Sequence, residues 1–451
     1  MGEVSGLRNA AGSVCLPGET GYDGARTTWS LAADLRPAAV VYPTSEEEVS
    51  AVLRAAADAG LRVTPVGTGH NAHPFRDLSD TVMLRMERLR SFVVSPERKA
   101  ARVSAGTLWL PVVQQAAEYG LAGLHGSAPD VSVVGYAAGG GLSCYGRRYG
   151  LAANHVTAAE LVLADGTQVR VDAGNDSELF WAVRGGGGNF GVITALEFGL
   201  QEFDSAYAGW LAWDLSRAEE VLSRWLEWTA DAPESVTTAY RHLRFPPIPG
   251  LPEPFAGRNW VMVDGAVLAD DEAAARILAP LRELKPELDT FGRVPAPVVS
   301  RIHLDPEEPT PGDGTAELLD ALPPAAVAKL IEAAGPEAPT QIFSTELRQL
   351  GGALGRPAAE GGALSYLDAA YLMSVVGIVP DPALQEAVRA DAETVAASLT
   401  KDYSRGRIYT NFQQKQTDTS RAFEPSAWER LVALRKRVDP AGVLRANHEI
   451  A

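Results

Sequence analysis

Four segments of this 451-residue chain carry residue types that could do chemistry. The first is Pro65-Val66-Gly67-Thr68-Gly69-His70-Asn71, directly after an apolar run. Two glycines let the backbone turn with its N–H groups converging, a nest that suits a diphosphate. His70 then stands beside whatever binds there, unless the segment is a plain turn with a surface histidine. The second is Pro129-Asp130-Val131-Ser132-Val133-Val134-Gly135-Tyr136-Ala137-Ala138-Gly139-Gly140-Gly141. Its small residues permit close approach of a flat or phosphorylated ligand, or tight packing of a helix on a sheet. The third, Arg184-Gly185-Gly186-Gly187-Gly188-Asn189-Phe190-Gly191, holds four consecutive glycines. Their conformational entropy cost points to close packing against a ligand or another backbone. The fourth is Tyr409-Thr410-Asn411-Phe412. Read as a strand over 408–412, it puts Tyr409 and Asn411 on one face, where a phenol and an amide can orient or deprotonate a substrate.

Other side chains join these by strand parity. Glu346 and Arg348 alternate along a predicted strand over 341–350, so they project together, toward the site or as an exposed ion pair. Tyr240, His242 and Tyr371 are further pocket candidates on predicted strands. A phenol has a reference pKa of about 10 and needs a positive neighbour to act as a base near neutral pH. Arg407, two residues from Tyr409 on the same predicted face, fits that need, with Arg405 and Arg348 as other candidates.

The elements that must position these residues follow from pattern. Residues 39–42 and 61–66 read as strands flanking a helix to Ala59, with Ser45 and Glu48 as a capping box and Val49, Val52, Leu53, Ala56 and Ala57 on one face. Strands are predicted at 81–84 and 101–105, and a helix over 109–119. Residues 156–163 and 168–171 form a hairpin at Asp165-Gly166. A helix over 177–183, capped by Asp176 or Ser177, precedes a strand at 191–198. Beyond residue 200 the pattern becomes a second α+β unit. Helices at 218–230, 271–284, 325–334 and 383–399 alternate with strands at 237–245, 260–268, 341–350 and 369–379. Proline-rich connections at 246–254 and 305–312 read as surface loops. An amphipathic helix over 426–438 closes the chain.

Composition excludes several classes. A length of 451 residues implies more than one domain, and 46% hydrophobic with 22% charged residues is ordinary for a globular protein. A formal net charge of −17 argues against nucleic acid and anionic membrane surfaces as partners. Cys15 and Cys144 are the two cysteines, too few for a disulfide framework or a zinc site, and no metal is expected. No signal-peptide core or run of about 18 apolar residues occurs, so a cytoplasmic protein is expected. Walker-type, His-x-x-x-His and Gly-x-Ser-x-Gly patterns are absent, as is Gly-x-Gly-x-x-Gly after the first strand.

Taken together, the motifs resemble the berberine-bridge-enzyme-like branch of the vanillyl-alcohol-oxidase flavoprotein superfamily, near its bacterial 6-hydroxynicotine-oxidase-like and aclacinomycin-oxidoreductase-like members. The resemblance rests on Val66–Asn71, on Gly139-Gly140-Gly141-Leu142 with Arg147-Arg148-Tyr149-Gly150-Leu151-Ala152, and on Leu179 to Val192. It is completed by Tyr409-x-Asn411-Phe412 and by Asp439-Pro440 with Leu444-Arg445-Ala446-Asn447-His448. It implies an α+β fold: a PCMH-type FAD-binding domain of two α+β subdomains, built from residues 1–203 and 405–451. A substrate domain over 204–404 would carry an antiparallel sheet covered by helices.

The resemblance also implies FAD held by Val66, Gly67, Thr68, Gly69, His70, Asn71, Pro129, Asp130, Val133, Gly135, Gly139, Gly140, Gly191, Val192, Tyr409, Asn411 and Asn447. The catalytic candidates are Tyr409, Asn411, Arg348 and Glu346. His70 matches the histidine that bonds the flavin 8α-methyl group. Ala128 stands where many relatives carry a second, cysteinyl link, so a single tether is expected. The implied reaction moves a hydride from a CH–OH or CH–NH carbon of a small metabolite to the flavin, with O2 as acceptor and H2O2 as product. Sugars, secondary alcohols, cyclic amines and polyketide- or alkaloid-type metabolites of secondary metabolism are the implied substrates. A dehydrogenase with another acceptor, an oxidative cyclase and a non-catalytic flavin-binding protein are the alternatives. The assembly expected is a monomer or homodimer.

Overall fold

The computed structural model describes residues 5–247 and 254–451. Most of the proline-rich connection read over 246–254 therefore lies outside the described residues, as do residues 1–4. Strands β1 (Val14–Cys15), β2 (Ala39–Val41), β3 (Arg62–Val66) and β4 (Thr81–Arg85) form a four-stranded sheet in the order β1-β2-β4-β3. The helix Glu46–Asp58 connects β2 to β3, which both pair in parallel with β4. Its start is fixed by Ser45, whose hydroxyl accepts the Glu48 N–H at 3.3 Å. The Glu48 carboxylate turns back to the Thr44 N–H at 2.7 Å, one residue earlier than the expected box. Val49, Val52, Leu53 and Ala56 of the predicted apolar face are fully buried on the sheet, whereas Ala57 is exposed.

A five-stranded antiparallel sheet follows, of β5 (Phe92–Ser95), β6 (Ala100–Ser104), β7 (Val156–Val162), β8 (Gln168–Asp172) and β9 (Val192–Gly199) in the order β5-β6-β9-β7-β8. The β7–β8 turn has Gly166 at φ 81°, and the Asp165 carboxylate accepts the Thr167 N–H at 2.8 Å. Two helices matter for the site. Val133–Ala138 precedes the glycine run, and Ser177–Val183 is capped by Asp176, which accepts the Leu179 N–H at 3.1 Å.

The middle of the chain supplies an eight-stranded antiparallel sheet: β10 (Ser205–Asp214), β11 (Val236–Arg244), β12 (Asn259–Val267), β13 (Leu288–Asp289), β14 (Gly292–Pro295), β15 (Gly312–Leu319), β16 (Ser344–Gln349) and β17 (Tyr371–Ile378). The order is β13-β10-β12-β11-β16-β17-β15, with β14 also on β10. Alternation divides its two faces. Tyr240, Leu347, Met373 and Val375 pack in one core with Val221, Leu278, Leu330 and Val395, which belong to the helices Ala218–Asp231, Asp271–Arg282, Pro324–Ala334 and Gln385–Tyr403. The opposite face turns toward a cavity.

Sequence pattern leaves β10 and β15 unread. β15 starts at Gly312-Asp313-Gly314, residues that favour turns, and forms because β17 pairs with it along its whole length. The predicted strand over 408–412 is a correction. Tyr409 is extended, but Thr410–Phe412 is a single 3-10 turn. No strand pairs there. The Phe412 N–H bonds to the Tyr409 carbonyl at 3.0 Å, and the Thr410 carbonyl accepts from the Asn71 side chain at 2.8 Å.

The last residues return to the first sheet. The Val63 N–H donates to the Val443 carbonyl at 2.7 Å and the Arg445 N–H to the Val63 carbonyl at 2.8 Å. The helix Pro425–Val438 leads into that contact, where Asp439 accepts the N–H groups of Val443 and Leu444 at 2.9 and 2.8 Å and pairs with Arg435 at 2.8 Å. No helix among the described residues is long and apolar enough to cross a membrane. Asp439→Ala is expected to destabilise the protein by about 3–5 kcal/mol, because it strands Arg435 and two backbone donors. Denaturant unfolding measures this.

Candidate active site

A cavity of about 510 Å³ lies between the nest-bearing loops and the open face of the eight-stranded sheet. Residues of all four segments line it: Val66, Gly67, Thr68, Gly69, His70, Asn71; Ala128, Gly135 and Gly139; Gly185 to Asn189 and Gly191; Tyr409 to Phe412. Asn447 and His448 from the chain end, and Glu346 and Arg348 from β16, join them.

His70 is held on three sides. The Trp29 indole stacks on it at 4.0 Å and 16°. Thr68 Oγ1 meets Nδ1 at 2.7 Å. Asp130 Oδ1 lies 3.5 Å from Nε2, too far for a hydrogen bond, so both atoms are buried without a partner. The nest glycines are needed where they stand. A Cβ on Gly69, at φ 82°, would lie 2.4 Å from the Thr28 side chain.

The second segment's glycines seat the fourth segment. A Cβ on Gly139 would fall 1.9 Å from Asn411 Oδ1, and one on Gly140, at φ 121°, would meet the Tyr409 ring at 3.0 Å. The Asn411 amide donates to the Tyr136 carbonyl at 2.9 Å and to the Tyr409 phenol oxygen at 3.2 Å. Tyr409 and Asn411 therefore do meet, through the turn and not through strand parity. Burial pushes the Tyr409 phenol well above its ordinary value, against the opposing effect of the Gly141 N–H, Asn411 and Arg348.

Arg407 does not serve Tyr409: it pairs with Glu424. Arg405 pairs with Asp320 at 2.8 Å and Asp368 at 3.1 Å. The cation beside Tyr409 is Arg348, whose guanidinium lies 4.9 Å over the Phe412 ring, itself stacked on Tyr409. Arg348 and Glu346 are no exposed pair: Glu346 is buried and Arg348 half-buried, with Nε to Oε1 at 2.6 Å. Tyr240, His242 and Tyr371 do not line the cavity. Tyr240 and His242 face the helices and bond to each other at 2.6 Å, and Tyr371 bonds to Thr229 at 2.9 Å. Parity on β11 presents Arg241 and Leu243 to the cavity instead.

Arg241 belongs to a buried charge cluster that motif reading misses. It pairs with Asp264 at 2.8 Å. His303 Nδ1 meets the other oxygen of Asp264 at 2.8 Å, and its Nε2 lies 3.3 Å from Glu346. Arg348 donates to Ser127 Oγ at 3.3 Å, and Ser127 donates to Asp305 at 2.7 Å. Burial and Arg241 push the His303 imidazole down, but Asp264, Asp305 and Glu346 outweigh them and raise it to about 9. Burial would raise the Glu346 carboxyl, but Arg348 and His303 hold it well below the usual carboxylate range. His303 sits in an irregular segment where no periodicity marks its direction. Strand parity is the one signal that could have found Arg241.

The remaining expected contacts, Gly140 among them, do not line the cavity. Asp130 stands behind His70. The Pro129 carbonyl accepts the Leu110 N–H at 3.0 Å. Val133 is fully buried in the core, and Val192 pairs with Val162. Neither cysteine lines the cavity. No group of three or more His, Cys, Asp or Glu side chains among the described residues is arranged to hold a metal ion.

The residues fit an extended, phosphorylated, flat cofactor. The nest offers backbone donors, and unpartnered polar atoms of His70, Asn71, Gln414 and His448 are buried on residues lining the cavity. Residues 37–172 match the model of the FAD binding domain. The fold of the chain is shared with solved structures that include a 6-hydroxynicotine oxidase and a BBE-like protein. The crystal structure of 6-hydroxy-D-nicotine oxidase from Arthrobacter nicotinovorans superposes with a TM-score of 0.84 at 24% identity, covering 97% of both chains. A Physcomitrella patens BBE-like 1 variant superposes with a TM-score of 0.84 at 20% identity, covering 99% of both. (R)-6-hydroxynicotine oxidase of Paenarthrobacter nicotinovorans is 32% identical over 209 residues, 46% of each chain. The sequence match thus spans less than half the length of that curated relative.

His303 sits between the carboxylates of Asp264 and Glu346, with an Arg348 nitrogen 3.0 Å from its Nε2, which gives a pH test. Its folded-state value lies above the ordinary 6.5, so its contribution to stability is full below about 6.5 and is lost as pH rises through about 9. Melting temperature is expected to fall across that window, and His303→Gln is expected to remove this part of the fall.

Proposed function

We propose that the chain is an FAD-dependent oxidase acting on a CH–OH or CH–NH carbon of a small metabolite, with O2 as acceptor and H2O2 as product. The observation that carries this reading is the cavity that joins the FAD-binding residues to Tyr409, Asn411 and the Glu346–Arg348 pair. FAD, when bound, supplies the two-electron acceptor, and the protein supplies position and electrostatics. A purified preparation should release H2O2 with a substrate drawn from alcohols, sugars or amines. A preparation that bleaches its flavin with such a substrate yet yields no peroxide in air would rule out the oxidase assignment.

In this reading Tyr409 anchors the substrate oxygen or nitrogen as a donor. Its buried phenol keeps its proton at neutral pH and is steadied by Asn411. The base role is disfavoured, because Arg348 is already paired with Glu346. Tyr409→Phe separates the two roles under anaerobic conditions. Loss of an anchor should weaken substrate binding by roughly tenfold, the worth of one hydrogen bond. A drop in the flavin-reduction rate of about a hundredfold or more at saturating substrate would restore the base role.

His70 is the proposed attachment point for a single covalent tether. It lines the cavity, held by Trp29 and Thr68 beside Asp130. Ala128 offers no thiol for a second link, and neither Cys15 nor Cys144 lines the cavity. The yellow colour should stay with the chain after acid precipitation and become removable in His70→Ala. Flavin that remains covalent in His70→Ala would place the tether elsewhere.

A further inference from the structure

The sheet wall of the cavity changes character along its strands. Arg241 is opposite Glu346, and Glu346 is opposite Ser374. Two residues further, Leu243 is opposite Ser344, and Ser344 is opposite Val376. Beyond them stand Phe245 and Phe343, packed edge to face at 5.5 Å and 86°, and Ile378. All of these line the cavity. One end of the wall is charged, and the other is apolar.

The charged end is the one beside Tyr409, because Arg348 lies over Phe412 and Phe412 stacks on Tyr409. The apolar end leads outward: Ile378 is 37% exposed, whereas Arg241 and Glu346 are 4% and 5% exposed. The charged end is also satisfied from within. Arg241, His303 and Arg348 face Asp264, Asp305 and Glu346, and every one of these groups is paired or bonded within the cluster. A charged ligand would have to compete with these internal pairs and would otherwise be desolvated without a partner of its own.

We infer that the substrate is uncharged and largely apolar, an aromatic or alicyclic body carrying one alcohol or weakly basic amine group that enters first. This rests on the oxidase reading above and narrows it. Sugars fit poorly. A pyranose carries hydroxyls all around its ring, and the outer wall formed by Leu243, Phe245, Phe343, Val376 and Ile378 offers them a single hydroxyl partner, Ser344. Each hydroxyl buried there unpaired weakens binding by roughly tenfold. An apolar body gains from the same surface.

The test uses the flavin-loaded protein and four probes: α-methylbenzyl alcohol, indoline, glucose and cellobiose. Binding is read from the perturbed flavin absorbance, and reduction from anaerobic bleaching. At least one aryl probe should bind ten times more tightly, or reduce the flavin ten times faster, than either sugar. Ile378→Asn and Val376→Asn should each weaken binding of that probe several-fold while the flavin spectrum and melting temperature stay as in the parent. Ile378 is partly exposed, so its variant folds even if the other does not. Sugars that bind or react as well as the aryl probes overturn the inference, as does absence of aryl binding or indifference to Ile378→Asn. Each of these leaves the oxidase reading standing. Failure of the parent protein to retain flavin would instead sink that reading itself.

Discussion

Asn411 lies where a side chain on Gly139 would be, and the candidate site is organised by that contact. Its carbonyl oxygen fills the space a Cβ would take, while its amide ties Tyr136 to Tyr409. One residue earlier, the Thr410 carbonyl receives the Asn71 amide. Three distant parts of the chain are thereby set in one frame: the nest, the helix before the glycine run, and the turn that carries Tyr409. Any residue larger than glycine at 139 would push the turn away and carry Tyr409 with it.

The opposite wall is built on different physics. Burying ionisable groups is costly unless each is paired, and here the buried Arg241, Asp264, His303 and Glu346 form a connected set that the half-buried Arg348 and Asp305 complete. Such a cluster adds little net stability compared with apolar packing, yet it fixes side chains that would otherwise have several rotamers. Arg348 is held between Glu346 and Ser127. Its aliphatic and planar surface is therefore available to the Phe412 ring, which links the charged wall to the aromatic pair around Tyr409. The arrangement is rigid where chemistry needs precision and apolar where a ligand enters.

Much of this was legible in the sequence, for reasons that differ by element. The helix Glu46–Asp58 and its cap could be read because periodicity and capping are local. The nest was recognisable from glycine spacing, although its bland alternative was set aside only by the other motifs. The pair Tyr409–Asn411 was placed together by the wrong argument. Strand parity predicted it, whereas a 3-10 turn produces it. Arg407 was drawn to Tyr409 by that same parity and left it when the strand did not form. Tyr240 and His242 failed because both faces of β11 carry polar residues, so pattern cannot say which face meets the helices. His303 and Asp264 were invisible because their meaning lies in a contact between residues 39 positions apart, one of them in an irregular segment.

The return of the last residues to β3 has a further consequence, one of timing. Val63 bonds to Val443 and Arg445, Arg62 to Leu444, and Asn447 to the backbone of Asn71. Closing a loop of this length carries an entropy cost that must be met before its contacts contribute. The nest is synthesised well before these neighbours, Asn447 following Asn71 by 376 residues. The cavity is thus a late product of folding, and a cofactor finds a complete seat only after synthesis has passed Asn447.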